Sequence, residues 1–382
     1  MYSLFGYGKM IADSRRMDAY VRALQQAVKP DSVVVDIGTG TGIFALLACQ
    51  FGARNVYAIE PSSWVEVARQ LAKENGCDDR IEFIQDLSTR VALPQRADVI
   101  VSDLRGVLPL FGHHIPAIID ARSRFLKPGG VLIPLRDRIW ATLVEAPEVY
   151  QNYTSPWEDQ PYGCNLQTAR HYLKNTWRKA LFDSQQCLVE PACCLTLDYA
   201  TIERPNSSAE LTWTLARSGV ACGLALWFDA TLAEGIEFSN APGQPELIYG
   251  QAFLPWLTPL PLERGDRVSV KLQANLIGRE YVWRWHSRIF SGDNSTQPKA
   301  NFEQSTFGNQ PLSLAKAQKQ SDDFIPTLNS DGRIAQFILQ LMGEGNSVGE
   351  IARQLTQHYP KAFPTLSVAL RRVGELSQKY SS

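Results

Sequence analysis

The sequence predicts an α/β fold in which a doubly wound parallel-sheet domain over residues 1–138 is followed by an antiparallel β-barrel domain over 139–290. A linker over 291–325 then leads into a small helical domain over 326–382. Three observations carry this reading. An apolar strand runs straight into a glycine turn at VVVDIGTGTG, residues 33–42. Strand and helix patterns then alternate as far as Pro134, which is the mark of a parallel sheet with helices on both faces. Beyond Ile139 the texture changes to short stretches of period-two alternation, such as ELTWTLARSG, LALWFDATL and RVSVKLQANL, which is how half-buried antiparallel strands read.

The first strand ends in Asp36. Gly38, Gly40 and Gly42 let the backbone turn tightly and approach a ligand before the helix carrying Phe44 to Cys49 begins. A second short strand, Val56 to Ile59, ends in Glu60. An acid placed roughly 20 residues beyond such glycines can accept hydrogen bonds from the two ribose hydroxyls of an adenosine ligand. A dinucleotide needs G-x-G-x-x-G to seat its pyrophosphate on the helix N-terminus, whereas the spacing here is G-T-G-T-G. The glycines by themselves leave the kind of adenosine ligand open.

Further strands are expected near 81–84, 98–102 and 131–133, and KPGGVLIP, residues 127–134, is a turn entering a buried strand. A polar, helix-compatible insertion over 151–185 interrupts the barrel pattern. Residues 291–325 are polar with scattered Gly, Pro, Ser and Gln, leaving room for short strands around Thr306 to Leu314. Three helical segments follow, over 331–342, 348–359 and 365–379, each with one apolar face. Ser347 with Glu350 is a capping-box pair that marks the start of the second.

At 382 residues the chain exceeds what one core usually organises. A formal net charge of −1 implies no basic face and argues against a dedicated nucleic-acid binder. No stretch approaches the roughly 18–20 uninterrupted apolar residues of a membrane span. The start, MYSLFGYGKMIADSRR, lacks the apolar core of a signal peptide. A soluble, cytoplasmic protein without a membrane partner is expected. The cysteines, Cys49, Cys77, Cys164, Cys187, Cys193, Cys194 and Cys222, form no C-x-x-C pair and have no nearby histidine, so they read as reduced thiols and not as a metal site.

Read as D-x-G-x-G-x-G with a following acid, the glycine turn resembles motif I of class I S-adenosylmethionine (AdoMet) methyltransferases, Rossmann-like enzymes whose turn faces a methionine moiety and no phosphate. The lead-in YGKMIADSRRMDAYVRAL is similar to that of protein arginine methyltransferases, with Met10, Asp13 and Arg16 at that family's Met, Asp and Arg. The resemblance continues through ADVIVSDLRGVLPLFG and into a barrel with an arm near Tyr162 to Phe182, which implies a homodimer. It also implies AdoMet as cofactor. Asp36, Gly38 and Gly40 would shape the methionine site, with Glu60 on the ribose and Ser88 and Thr89 near the adenine. Arg16 would pair with the methionine carboxylate, as a bidentate guanidinium is suited to do.

The departures from that family lie in the acceptor loop. The family holds a substrate guanidinium between two glutamates after the fourth strand. Here the loop is SDLRGVLPLFG, residues 102–112, with Asp103 at the first glutamate and Gly112 at the second. Arg105 adds a positive charge that opposes a guanidinium. The barrel's Thr-His-Trp loop is replaced by Leu247-Ile248-Tyr249. The expected acceptor is therefore a peptide or protein group other than arginine. Asp103 acts as base or orienting carboxylate and Arg105 positions an acidic group, with His113, His114 and His286 as further candidates.

The tail LNSDGRIAQFILQLMGEGNSVGEIARQLTQHYP resembles PqqD-like domains, small winged-helix modules that take up the leader of a ribosomally made peptide (RiPP) as an added strand. That use needs a sheet from residues 300–327, and a plain three-helix bundle is the other reading. The resulting expectation is an AdoMet-dependent methyltransferase acting on a peptide or protein in a ribosomal-peptide modification pathway. Two alternatives stand beside it: a protein arginine N-methyltransferase, and a non-catalytic binding module or partner subunit.

Overall fold

The computed structural model describes residues 3–158, 161–292, 296–311 and 313–381. It comprises two compact units, residues 1–311 and 312–382. In the first, helix α1 (Leu4–Ala12) is capped by Ser3, whose hydroxyl accepts from the Gly6 N–H at 3.2 Å. Asp13 does the same for helix α2 (Ser14–Ala27) through the Arg16 N–H at 3.2 Å. Each cap satisfies one of the donors a helix start leaves unpaired. The inner face of α2 buries Arg16, Met17, Ala19, Tyr20, Ala23 and Leu24.

The chain then alternates through β1 (Val33–Ile37), α3 (Ile43–Gln50), β2 (Asn55–Ile59), α4 (Val65–Glu74), β3 (Ile81–Ile84), β4 (Ala97–Ser102), α5 (His114–Arg124) and β5 (Leu126–Ile133). The five strands lie in the order β3-β2-β1-β4-β5, and every neighbouring pair is parallel. β1 is buried along its whole length, as befits a central parallel strand covered on both faces. Strand order reverses beside β1, so the crevice outside the carboxyl ends of β1 and β4 is the topological switch point where such sheets bind ligands. The pairing of Ile37 with Ser102 brings the glycine turn alongside the loop that begins at Asp103.

β6 (Arg136–Val144) opens the antiparallel part, which consists of a six-stranded and a four-stranded sheet. Trp256, Trp283 and Trp285 are among its largest fully buried side chains. The insertion carries helices Pro147–Thr154 and Gln167–Lys174. Residues 300–305, expected in the linker, instead form an edge strand paired with Glu280–Phe290. Its inward positions are Phe302 and Gln304, so a single apolar side chain marks it in the sequence.

In the second unit helices Ser330–Gly343, Val348–His358 and Leu366–Tyr380 close around Ile338, Ile351, Ala352, Leu355, Ala369 and Val373. The Ser347–Glu350 capping box is formed, with Glu350 N–H donating to Ser347 Oγ at 3.3 Å and Ser347 N–H to Glu350 Oε2 at 2.9 Å. Among the described residues this unit contains no strand. The sheet that a winged-helix leader site requires is not supplied by residues 300–305, which belong to the larger unit. No helix among the described residues is long and apolar enough to cross a membrane.

Candidate active site

The turn after β1 has φ of +73° at Gly38 and +56° at Gly40, a region that L side chains rarely adopt. A Cβ at Gly40 would lie 2.4 Å from Cε1 of Tyr7, and one at Gly38 2.4 Å from Cδ2 of Leu104. The turn is thus roofed by α1 on one side and by the loop after β4 on the other. Glu60, at the end of β2, pins it: Oε2 accepts from the Gly40 N–H at 3.1 Å and Oε1 from the Ser62 N–H at 2.9 Å. Each oxygen keeps a second lone pair for a hydroxyl.

Asp36 is fully buried. Its Oδ2 accepts from the Thr39 hydroxyl at 2.5 Å and the Ala45 N–H at 3.1 Å, while Oδ1 has no partner. Burial pushes its pKa up to about 7, against the downward pull of those two hydrogen bonds. An orphaned carboxylate oxygen beside a turn without side chains suits a ligand that brings a cationic or N–H donor. The amino group of a methionine moiety is such a donor, so these residues fit AdoMet. Ser88, in the turn after β3, is buried, and its carbonyl accepts from Arg124 at 2.7 Å; Thr89 is exposed.

Asp103 sits one residue past β4 with its side chain only 3% exposed. Arg16 reaches its Oδ2 through Nε at 2.7 Å and Nη2 at 2.6 Å, and the Tyr249 hydroxyl donates to the same oxygen at 2.5 Å. Arg105 donates to Oδ1 at 3.1 Å. Burial raises the Asp103 pKa, but the charges of Arg16 and then Arg105 outweigh it and hold the carboxyl below its ordinary value. It is therefore an orienting anion more than a base.

Arg105 is not the loose cation its sequence position implied. Its Nε and Nη2 grip both oxygens of Asp137, on β6, at 2.7 and 2.9 Å, with both side chains 0% exposed. Its Nη1 also donates to the Tyr20 hydroxyl at 2.7 Å, and Tyr199 donates to Asp137 at 2.5 Å. Paired in this way, Arg105 neither positions an acidic acceptor nor stands as an uncompensated charge against a guanidinium.

Residues 247–249 join the site from the barrel. The Ile248 N–H donates to Asp13 Oδ2 at 2.8 Å, and Tyr249 binds Asp103. The histidines do not join. His113 is exposed and bonds the Gly278 carbonyl at 3.0 Å. His114 is buried, and its Nδ1 donates to the Pro109 carbonyl at 2.9 Å. His286 is half-buried and bonds Asn301 at 2.6 Å. Sequence reasoning missed Tyr20, Asp137 and Tyr199. The available signal was Arg105 itself, since a guanidinium inside LRGVLPLFG demands a carboxylate once buried.

The chain resembles known proteins over most of its length. Residues 18–134 match the family model described as ribosomal protein L11 methyltransferase (PrmA). The chain is 30% identical over 300 residues to protein arginine N-methyltransferase 2 of Homo sapiens, an alignment covering 74% of this chain and 68% of that one. It is 28% identical over 308 residues to protein arginine N-methyltransferase PRMT10 of Arabidopsis thaliana, covering 71% and 80%. The solved Arabidopsis thaliana protein arginine methyltransferase 10 superposes with a TM-score of 0.70 at 24% identity, covering 80% of this chain and 98% of that one. The Trypanosoma brucei PRMT1 enzyme–prozyme complex with AdoHcy gives 0.70 at 20% identity, covering 78% and 96%, a likeness of fold.

These relatives overturn the expectation of an acceptor other than arginine, since the curated ones are named protein arginine N-methyltransferases. One premise of that expectation, a free positive charge at Arg105, is removed by the Asp137 pair. The chain belongs to the protein arginine N-methyltransferase family and is an AdoMet-dependent methyltransferase.

Proposed function

We propose that the protein methylates arginine side chains of a peptide or protein, with Asp103 orienting the guanidinium. The observation that supports this most directly is a buried, ionised carboxylate at the carboxyl end of β4, adjacent to the glycine turn and already bound to a guanidinium, that of Arg16. When bound, AdoMet would supply an electrophilic methyl group on a sulfonium, which a guanidinium nitrogen would take with release of AdoHcy and loss of one proton to water. The chain's contribution is alignment and exclusion of water. Asp36, Gly38 and Gly40 hold the methionine moiety, Arg16 its carboxylate, Glu60 the ribose, and Ser88 with Thr89 the adenine end.

Glu60→Ala is expected to weaken AdoMet binding by roughly 1–3 kcal/mol, the worth of lost hydrogen bonds to a charged acceptor. An unchanged dissociation constant in calorimetry would remove the ribose role. The function itself is tested with isotope-labelled AdoMet and arginine-rich peptides, localising the label by tandem mass spectrometry. Label on arginine is the expected result. Label on another residue, or AdoMet binding with no transfer at all, overturns the reading, the second in favour of a binding module.

The insertion supports a homodimer contact: Tyr162 is fully exposed and Leu181 47% exposed on one arm. Light scattering should then report twice the 42.7 kDa of one chain, and a mass of one chain removes the dimer. The loose PqqD-like spacing of the tail supports peptide binding by the second unit. With no strand among its described residues, the helix faces are the surface available. A chain ending at Pro311 should then keep its AdoMet affinity and bind the substrate protein more weakly. Equal binding by both chains removes this role. The cysteines, none of them in a disulfide, support a cytoplasmic setting.

A further inference from the structure

We infer that Arg16 is shared in turn between two carboxylates, Asp103 and the methionine carboxylate of AdoMet, so that the acceptor peptide is admitted only after the cofactor. This rests on the arginine-acceptor reading above and adds an order of binding to it.

Asp103 as it stands cannot take a second guanidinium. A carboxylate oxygen offers about two lone-pair sites, and Oδ2 already receives Arg16 Nε, Arg16 Nη2 and the Tyr249 hydroxyl. Oδ1 receives Arg105. The Arg16 and Asp103 side chains are each 3% exposed, so water offers an arriving peptide no easy exchange.

Of the two arginines on Asp103, only Arg16 is free to leave. Arg105 has a carboxylate of its own in Asp137, gripped through two bonds in a fully buried pair. The other hydrogen-bonding partners of the Arg16 guanidinium carry no charge: the Met10 carbonyl, Met17 Sδ and the Tyr249 hydroxyl, each at 3.1 Å. Without Asp103 and without cofactor, Arg16 would be a buried charge lacking a counter-charge, which is strongly unfavourable. A methionine carboxylate in the glycine-turn site gives it an equivalent partner.

The charge count points the same way. Arg16 and Arg105 balance Asp103 and Asp137 in the closed cluster. Adding a substrate guanidinium alone leaves one uncompensated positive charge in a buried place, and a carboxylate brought to Arg16 restores the balance. Arg16 is therefore a positioning residue for the acceptor carboxylate as well as a ligand of the cofactor.

The test is the affinity of an arginine-rich peptide, by fluorescence anisotropy, with and without saturating AdoHcy, the demethylated cofactor that permits no turnover. The peptide should bind at least tenfold more tightly with AdoHcy present. Reciprocally, the peptide should tighten AdoHcy by the same factor, as linkage requires. Equal peptide affinity in both states overturns the inference. Arg16→Ala separates the gate from simple contact between cofactor and peptide. Its cofactor-free form should bind peptide more tightly than cofactor-free wild type, and AdoHcy should add nothing further. If that form binds as weakly as wild type, the coupling has another origin and the inference falls.

Should Arg16→Ala not fold, Arg16→Lys keeps the charge but not the two-pronged grip. Its cofactor-free peptide affinity should lie between the two wild-type values, and a wild-type value overturns the gate. Failure of the two readings is distinguishable. Arginine labelling with cofactor-independent peptide affinity sinks only the gate, whereas an AdoHcy-loaded protein that neither binds nor labels arginine peptides sinks the arginine reading with it.

Discussion

Asp103→Asn is expected to lower kcat/KM for an arginine peptide by roughly 10²–10⁴-fold while leaving AdoMet affinity unchanged or improved. The size follows from removing one partner of a buried, hydrogen-bonded charge pair, a loss of about 3–5 kcal/mol, where each 1.4 kcal/mol is about tenfold in rate. The sign on AdoMet follows from Arg16, which in the variant loses the anion that holds it at 2.6–2.7 Å and is free for another. Asparagine keeps the shape and can still accept from Tyr249, so the loss would report charge and not a cavity. Steady-state kinetics paired with calorimetry decide the matter. A near-wild-type rate sinks the role of Asp103, and a matching fall in AdoMet affinity would show that it serves the cofactor instead.

The parts of this site that sequence reading found are those with local signatures. β1, its glycine turn, Asp36 and Glu60 lie within 28 residues, and each is dictated by backbone geometry that only certain residues allow. The central parallel strands were legible because β1 and β4 are runs of buried, mostly apolar residues. The edge strand at 300–305 was not, since an edge with one covered face needs few apolar residues.

Arg105 was read as a loose cation, whereas it is buried and paired. Its counter-ion, Asp137, lies 32 residues on, in the first strand of the barrel, and Tyr199 a further 62 residues along. No periodicity connects positions that only the tertiary fold brings together. The same holds for Tyr249, the last residue of the Leu247-Ile248-Tyr249 loop, which reaches Asp103 across 146 residues.

The largest stability effect is expected from Asp137→Ala, at about 3–5 kcal/mol of destabilisation, because it strands a guanidinium that is 0% exposed. The loss should appear as a fall in the urea midpoint of the larger unit with little change in slope. The double variant Arg105→Met with Asp137→Leu removes both charges and fills the space with apolar atoms, so most of that loss should return. Recovery should be incomplete by about 1–3 kcal/mol, since the Tyr199 hydroxyl donates to Asp137 and would be left buried and unpaired. A loss below about 1 kcal/mol for Asp137→Ala would mean that water reaches Arg105. The single variant should also bind the acceptor peptide more weakly. Released from Asp137, Arg105 can give Asp103 a second nitrogen, tightening the hold that a substrate guanidinium has to displace. Stability and acceptor binding are thus linked through one arginine, and a variant that lowered the first without the second would break that link.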